Sequence, residues 1–203
     1  MNYKSAEIVG VAATKPHGEK SDVQLAIKTK KGEFSEGISI KLVSSENGFN
    51  QIDKRWLSHY ATMWQLPQDV VDALKFFVGE VKPSGPSRNS ERMFLDELDK
   101  QKQKAVVDFF TAKKSEIVSD LLKGDGVYSA DWIMVALKAG AKPRWVLRRI
   151  DYAVDYFSRG AVQITSGGNL RIGRITMQRK GGDAGRETAR MLQFKINPAL
   201  LFD

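Results

Sequence analysis

The stretch KSDVQLAIKTKKGEFSEGISIKLV, residues 20–43, constrains the fold more than any other part of the chain. It holds two alternating runs around a Lys-Gly turn, and alternation with period two marks strands with distinct faces. Val23, Leu25 and Ile27 share one face of the first strand, and Asp22, Gln24 and Ala26 share the other. In the second strand Ile38, Ile40 and Leu42 face one way, while Ser39, Lys41 and Val43 face the other. Ser39 and Lys41 therefore point to the same side, two residues apart. Whether Asp22, at the head of the neighbouring strand, joins them depends on register, which the sequence leaves open.

The flanking segments supply further strands and several helices. AEIVGVAA reads as a strand and TKPHGEKS as a loop. Residues 50–64 have helical spacing, with Ile52, Trp56, Tyr60 and Met63 on one stripe. A second helix is predicted from Pro67. VKPSGPSRNS, residues 81–90, is dense in Pro, Gly and Ser and reads as a mobile linker or a loop. A long helical region runs from Ser90 to Lys123, with Gly124 as its cap. YSADWIMVALKAG suits a strand or a short helix. KPRWVLRRIDYAVDYF reads as a helix with Pro143 in its first turn and Val146, Ile150, Val154 and Phe157 inward. AVQIT and LRIGRITMQ are strands around an SGGN turn; KGGDAGRET is a flexible basic loop, and RMLQFKI is a last strand. No internal repeat is visible, and 203 residues suit one domain spanning 1–203.

Composition removes several chemistries. The chain has no cysteine, which excludes disulfides, thiolate nucleophiles and thiolate zinc sites. Its two histidines, His17 and His59, argue against a multi-His metal cage, so a metal would be a hard cation held by carboxylates. No apolar run approaches the ~20 residues of a membrane span, and no leader peptide is evident, so the expected compartment is the cytoplasm. The net charge of +8, with a pI of about 9.6, suits a polyanionic partner, nucleic acid ahead of an anionic membrane. On charge alone an ordinary basic protein is the alternative.

A phosphodiester is cut with a metal that neutralises developing charge, an activated water and a grip on the backbone. Asp22 suits Mg²⁺, which takes only one or two carboxylates and keeps several waters. The Ile40 carbonyl adds a neutral oxygen. Lys41 is placed to orient the attacking water or to stabilise the pentavalent phosphate. Asp and Lys on adjacent strands also occur in ordinary solvated hairpins.

The order Asp22, a short hairpin, then Ser39-Ile40-Lys41 resembles the PD-(D/E)XK motif of type II restriction endonucleases. GFNQIDKRW and ITMQRKGGDAGRETARMLQFKINP are also similar to segments of those enzymes, so the likeness runs from Lys20 to the C terminus. The resemblance implies an α/β fold with a mixed central sheet flanked by helices. It implies Mg²⁺-dependent cleavage by a homodimer that reads a short site in double-stranded DNA, and a cognate DNA methyltransferase in the same system. Three departures matter. Ser21 stands where the motif has proline, and Ser39 stands where it has its second acid. Some enzymes of the type borrow that acid from a following helix, which makes Asp53 the first candidate and Glu36 the second. Alternation puts Glu36 opposite Lys41 unless Gly37 bulges the strand, which favours Asp53. The third departure is that the chain reaches Asp22 almost at once, so an N-terminal helix of the usual core is missing or shortened. The chain is then a minimal enzyme or a fragment without a recognition region. If no acid replaces Ser39, the protein binds DNA without cutting it.

Arg144, Arg148, Arg149, Arg159, Arg171, Arg174, Arg179, Lys180, Arg186 and Arg190 outnumber the acids Asp151, Asp155, Asp183 and Glu187 within residues 144–190. Such an excess marks a DNA-facing surface, because neutralising phosphates supplies the salt-dependent part of affinity. Arg148 and Arg149 serve equally well as a solvated helix face. Gln178, Arg179 and Lys180 lead into GGDAGR, whose bare backbone can approach a groove closely. Arg179 or Arg186 suits guanine and Gln178 suits adenine. Asn50, Gln51, Lys54 and Arg55 make a second polar set. Trp56, Trp64, Trp132 and Trp145 fall in apolar periodic segments and read as core.

Overall fold

In the computed structural model, which describes residues 7–139, 142–182 and 185–203, the hairpin forms as its alternation dictates. Strand β1 (Ile8–Thr14) pairs antiparallel with β2 (Val23–Thr29). Strand β2 pairs antiparallel with β3 (Gly32–Val43), in unbroken register from Val23↔Ile38 to Thr29↔Gly32. The Thr29 hydroxyl fixes the turn, donating to the Gly32 carbonyl at 3.0 Å and accepting from the Lys31 amide at 3.1 Å.

Beyond Ile38, β3 changes neighbour. It runs parallel to β5 (Trp132–Leu137), so the segment that suited strand or helix is a strand. Strand β5 pairs antiparallel with β6 (Arg144–Arg149), completing a mixed five-stranded sheet of order β1-β2-β3-β5-β6. This corrects the single helix predicted over 142–157: Arg144–Arg149 is an edge strand, and helix α5 occupies Ile150–Ser158. Pairing with β5 is non-local, and local helical spacing cannot report it. On the covered face Ser39, Val43, Ile133, Val135 and Leu137 are buried. On the other face Leu42 is 63% exposed and Trp145 70% exposed. Trp145 is therefore a surface residue, against the expectation that all four tryptophans are core.

The second sheet has the order β4-β10-β9-β8-β7, from β4 (Asn50–Arg55), β7 (Val162–Ile164), β8 (Leu170–Ile172), β9 (Ile175–Arg179) and β10 (Leu192–Ile196). Residues 50–55 are thus strand, not the start of a helix. Trp56 is extended (φ −66°, ψ 150°) and separates β4 from helix α1 (Leu57–Trp64), whose buried residues are Leu57, Tyr60 and Trp64. Tyr60 stacks on Trp64 at 4.8 Å, and Phe194 meets both edge-on at 5.1 and 5.6 Å. Helix α2 (Gln68–Val78) starts after Pro67 and stops at left-handed Gly79 (φ +85°). The long helical region resolves into α3 (Lys100–Ala112), capped by the Asp99 carboxylate accepting from the Lys102 amide at 2.8 Å, and α4 (Lys114–Leu122).

The chain divides into two compact units with interleaved segments. One gathers Met1–Asn50, Ser119–Asp155 and Asn197–Asp203; the other gathers Gln51–Val118 and Tyr156–Ile196. Residues 81–90 lie wholly inside the second unit, as a loop with one isolated bridge from Asn89 to Arg92. Among the described residues no helix is long and apolar enough to cross a membrane.

Candidate active site

The register that the sequence left open brings Asp22 to Ser39 and Lys41. The Asp22 amide donates to the Ile38 carbonyl at 2.8 Å, which seats Asp22 one step past the last β2–β3 pair. Its carboxylate then folds over β3. Oδ2 accepts from the Ile40 amide at 2.6 Å, with the Ser39 hydroxyl at 3.5 Å and Lys41 Nζ at 3.8 Å. Lys41 Nζ donates to Ser39 Oγ at 2.9 Å and approaches the Ile40 carbonyl at 3.4 Å. Ser39 is buried and bridges the ammonium and the carboxylate, where a second acid would have added charge.

The Lys41 side chain is only 16% exposed, against 49% for Asp22. Burial holds the Lys41 ammonium below the ordinary lysine range; the Asp22 charge opposes that shift and the Lys20 charge adds to it. Lys41 therefore gives up a proton more readily than a solvated lysine does. The one signal for Lys20 in the sequence is its place two residues before Asp22.

The oxygens gathered here suit a hard cation. Asp22 offers a carboxylate, Ile40 a carbonyl and Ser39 a hydroxyl, which fits an ion that completes its shell with water. Among the described residues the hydrogen bonds to the Asp22 carboxylate and its ion pair with Lys41 fall on Oδ2, and the side chain is half-exposed. Among the described residues no group of three His, Asp or Glu side chains forms a metal cage.

The two acids considered as replacements at Ser39 each have partners of their own. Glu36 lies on the opposite face of β3, because the register through Gly37 has no bulge. There it accepts from Trp132 Nε1 at 2.8 Å and lies 3.8 Å from Arg149 Nη1, with the Arg149 guanidinium over the Trp132 ring. Asp53 belongs to strand β4, not to a helix, and it is buried. Its Oδ1 accepts from the Tyr60 hydroxyl at 2.5 Å, and Arg55 approaches at 3.2 and 3.3 Å. Burial, reinforced by the Asp53 charge, pushes the Tyr60 hydroxyl far above its ordinary range, so it stays a donor.

Three of the basic residues expected on a DNA-facing surface come together in the second unit. Lys180 is held below the ordinary lysine range by desolvation and then by the charges of Lys54 and Arg186. Cations from β4, from the exit of β9 and from residue 186 thus share one neighbourhood. Arg179 is placed differently. Its Nε donates to the Val78 carbonyl at 2.9 Å, at the C-terminal end of α2, and it is partly buried beside Arg190 and Glu91. Gln178 is half-buried and paired with Gln193 in the β9–β10 ladder. The Asn50 amide donates to the Leu42 carbonyl at 3.3 Å, and Gln51 is exposed. Arg148 Nε donates to the Leu201 carbonyl at 3.1 Å, so Arg148 is not simply a solvated residue. Within the KGGDAGRET loop, Asp183 and Ala184 lie outside the described residues.

No curated protein sequence matches the chain. Among solved structures, restriction endonuclease MspI in complex with its cognate DNA aligns with 93% of this chain and 71% of its own, at a TM-score of 0.64 and 10% identity. At that identity the likeness concerns the fold, a mixed sheet flanked by helices. The model of the family described as R.HinP1I restriction endonuclease matches residues 1–202, and the chain belongs to this family of type II restriction endonucleases.

Proposed function

We propose that the protein is a Mg²⁺-dependent endonuclease that hydrolyses phosphodiester bonds of double-stranded DNA at a specific sequence. The observation that supports this most is the convergence of Asp22, Ser39 and Lys41 on one hairpin in a chain of this family. Asp22 and the Ile40 carbonyl hold Mg²⁺, which when bound supplies charge neutralisation and a more acidic water. Lys41 orients the water and exchanges a proton at Nζ, as its depressed pKa favours. Ser39 keeps the Lys41 ammonium aligned with Asp22. We assign Asp53 to holding β4 against α1, through Tyr60, in place of the metal role expected for it, and Glu36 to the outer face of the sheet.

Lys54, Lys180 and Arg186 neutralise backbone phosphates, while Arg190, Gln51, Asn50 and Arg55 border the duplex. Gln178 and Arg186 are the candidates for reading bases; Arg179 is committed to α2. The restriction role further implies a homodimer and a cognate methyltransferase that protects the site. The crystal structure of MspI holds its cognate DNA, which supports the duplex as substrate class.

A purified sample incubated with mixed-sequence duplex and Mg²⁺ should yield discrete fragments, and sequencing their ends reads the site and the stagger. Asp22→Ala and Lys41→Ala should each abolish cutting with the far-UV spectrum unchanged. Cutting that survives either substitution overturns the assignment. The second reading is a DNA-binding protein without catalysis. It draws support from Ser39 at the second acidic position and from the bonds that Asp53 makes to Tyr60 and Glu36 to Trp132. A shifted but intact duplex would favour it.

A further inference from the structure

We infer that Ser21, seated against Gly37, is a positioning residue that sets the Asp22 carboxylate over β3. The inference rests on the nuclease reading above only for its catalytic consequence. The β2–β3 ladder ends at Val23↔Ile38, with one further backbone bond from the Asp22 amide to the Ile38 carbonyl, so nothing in the ladder holds the residue before Asp22. A third segment, the connection between α4 and β5, does so. Ser21 is 1% exposed; its amide donates to the Tyr128 carbonyl at 3.2 Å. Its hydroxyl lies 2.7 Å from the Tyr128 carbonyl and 2.9 Å from the Ser129 carbonyl, sharing its one proton between them.

The same connection grips β3. Asp131 Oδ2 accepts from the Gly37 amide at 2.7 Å, and the Asp131 amide donates to the Gly37 carbonyl at 2.8 Å. It is closed on itself by the Ala130 amide donating to the Lys123 carbonyl at 2.8 Å. A Cβ at residue 37 would lie 2.1 Å from the Ser129 carbonyl oxygen and 2.4 Å from Ser21 Oγ, so only glycine leaves room for this seat. Lys20 adds an anchor, donating from Nζ to the Leu121 carbonyl at 3.0 Å. One connection thus indexes the residue before Asp22 and the residue two before Ser39. Where the family motif places proline, which stiffens its own backbone, this chain uses a buried hydroxyl tied to a neighbouring segment.

The test is Ser21→Ala, examined with and without DNA. Turnover should fall on the order of 100-fold, as for a misplaced reacting group, while KM for the duplex stays within about twofold. The half-saturating Mg²⁺ concentration should rise. The readout independent of catalysis is the Ile40 amide, whose proton is donated to Asp22 Oδ2 at 2.6 Å. In NMR spectra of the metal-free protein its resonance should move toward the position seen in Asp22→Ala, with faster hydrogen exchange. Ser21→Cys, close in volume and a weaker donor, should fall between, and it carries the test if Ser21→Ala does not fold. An Ile40 amide and a turnover both unchanged in the folded variant overturn the inference. A parent protein that never cuts overturns the nuclease reading instead, and the Ile40 amide still decides the role of Ser21.

Discussion

Tyr60→Phe removes a single oxygen from the interior, and its effect follows from the contacts of that oxygen. Tyr60 is fully buried, and its ring contacts with Trp64 and Phe194 are as available to phenylalanine. What disappears is the hydroxyl donated to Asp53 Oδ1 at 2.5 Å. Asp53 is itself buried, so water does not readily take the place of the lost donor. A hydrogen bond to a charged group contributes about 1.5–3 kcal/mol. Arg55 still approaches the carboxylate at 3.2 and 3.3 Å, which places the expected loss near the lower end, about 2 kcal/mol. Urea unfolding followed by tryptophan fluorescence should show the midpoint falling by roughly 1 M, given typical slopes of about 1–3 kcal/mol/M. In an Asp53→Asn background the same substitution should cost under about 1 kcal/mol, because a neutral amide tolerates the loss better. The pH dependence adds a check. Folded Tyr60 keeps its proton above the ordinary value of 10.0, where unfolded tyrosine ionises, so the folded state binds more protons and stability falls as pH rises through that range. Tyr60→Phe should flatten that fall. A loss below about 0.5 kcal/mol, or the same loss in both backgrounds, would refute the pairing of Tyr60 with a buried carboxylate.

Lys41→Met should abolish cutting yet raise stability at neutral pH by about 1–2 kcal/mol, because it removes a buried charge. Folded Lys41 releases its proton before the unfolded chain does, so stability should climb as pH rises toward 10.5, and denaturation across that range should show the climb lost in the variant. Gly79→Ala and Gly126→Ala both force alanine into a left-handed backbone, at a cost of about 1–2 kcal/mol. At Gly79 the new Cβ also meets the Glu91 carbonyl oxygen at 2.7 Å, whereas Gly126 faces open space, so calorimetry should give the lower Tm for Gly79→Ala. Lys180→Ala should make the slope of log affinity against log salt shallower by about 0.9, and an unchanged slope would remove Lys180 from the phosphate contacts.

The hairpin was the most legible part of the fold. Its turn, its strands and the shared face of Ser39 and Lys41 all followed from period two; residues 170–178, read as one run of strand, form β8 and β9, and residues 190–196 contain β10. The register of Asp22 was not legible, because it depends on Ser21 meeting carbonyls more than a hundred residues away. Two helices were predicted too long for one reason. At 50–64 and at 142–157 a strand is followed within a residue by a helix, and a few apolar residues on each side mimic a continuous stripe. The strand halves exist because β10 and β5 offer them ladders, a contribution absent from any local window. Asp53 was expected on a helix for the same reason, and Tyr60, which holds it, was read only as a core aromatic. Arg179 was read as a base contact because it follows an alternating run, and nothing nearby in sequence reveals Val78 as the acceptor of its Nε.

The interleaving of the two units has a consequence for how the chain is made. The polypeptide passes between them at four points, and the earlier unit, which contains the Asp22–Lys41 hairpin, draws in Asn197–Asp203. During synthesis the hairpin can pair as soon as it emerges, but its sheet waits for β5 and β6 and its unit for Asn197–Asp203. Neither unit can be excised as one continuous piece, so loss of Asn197–Asp203 should harm the unit built around the Asp22–Lys41 hairpin.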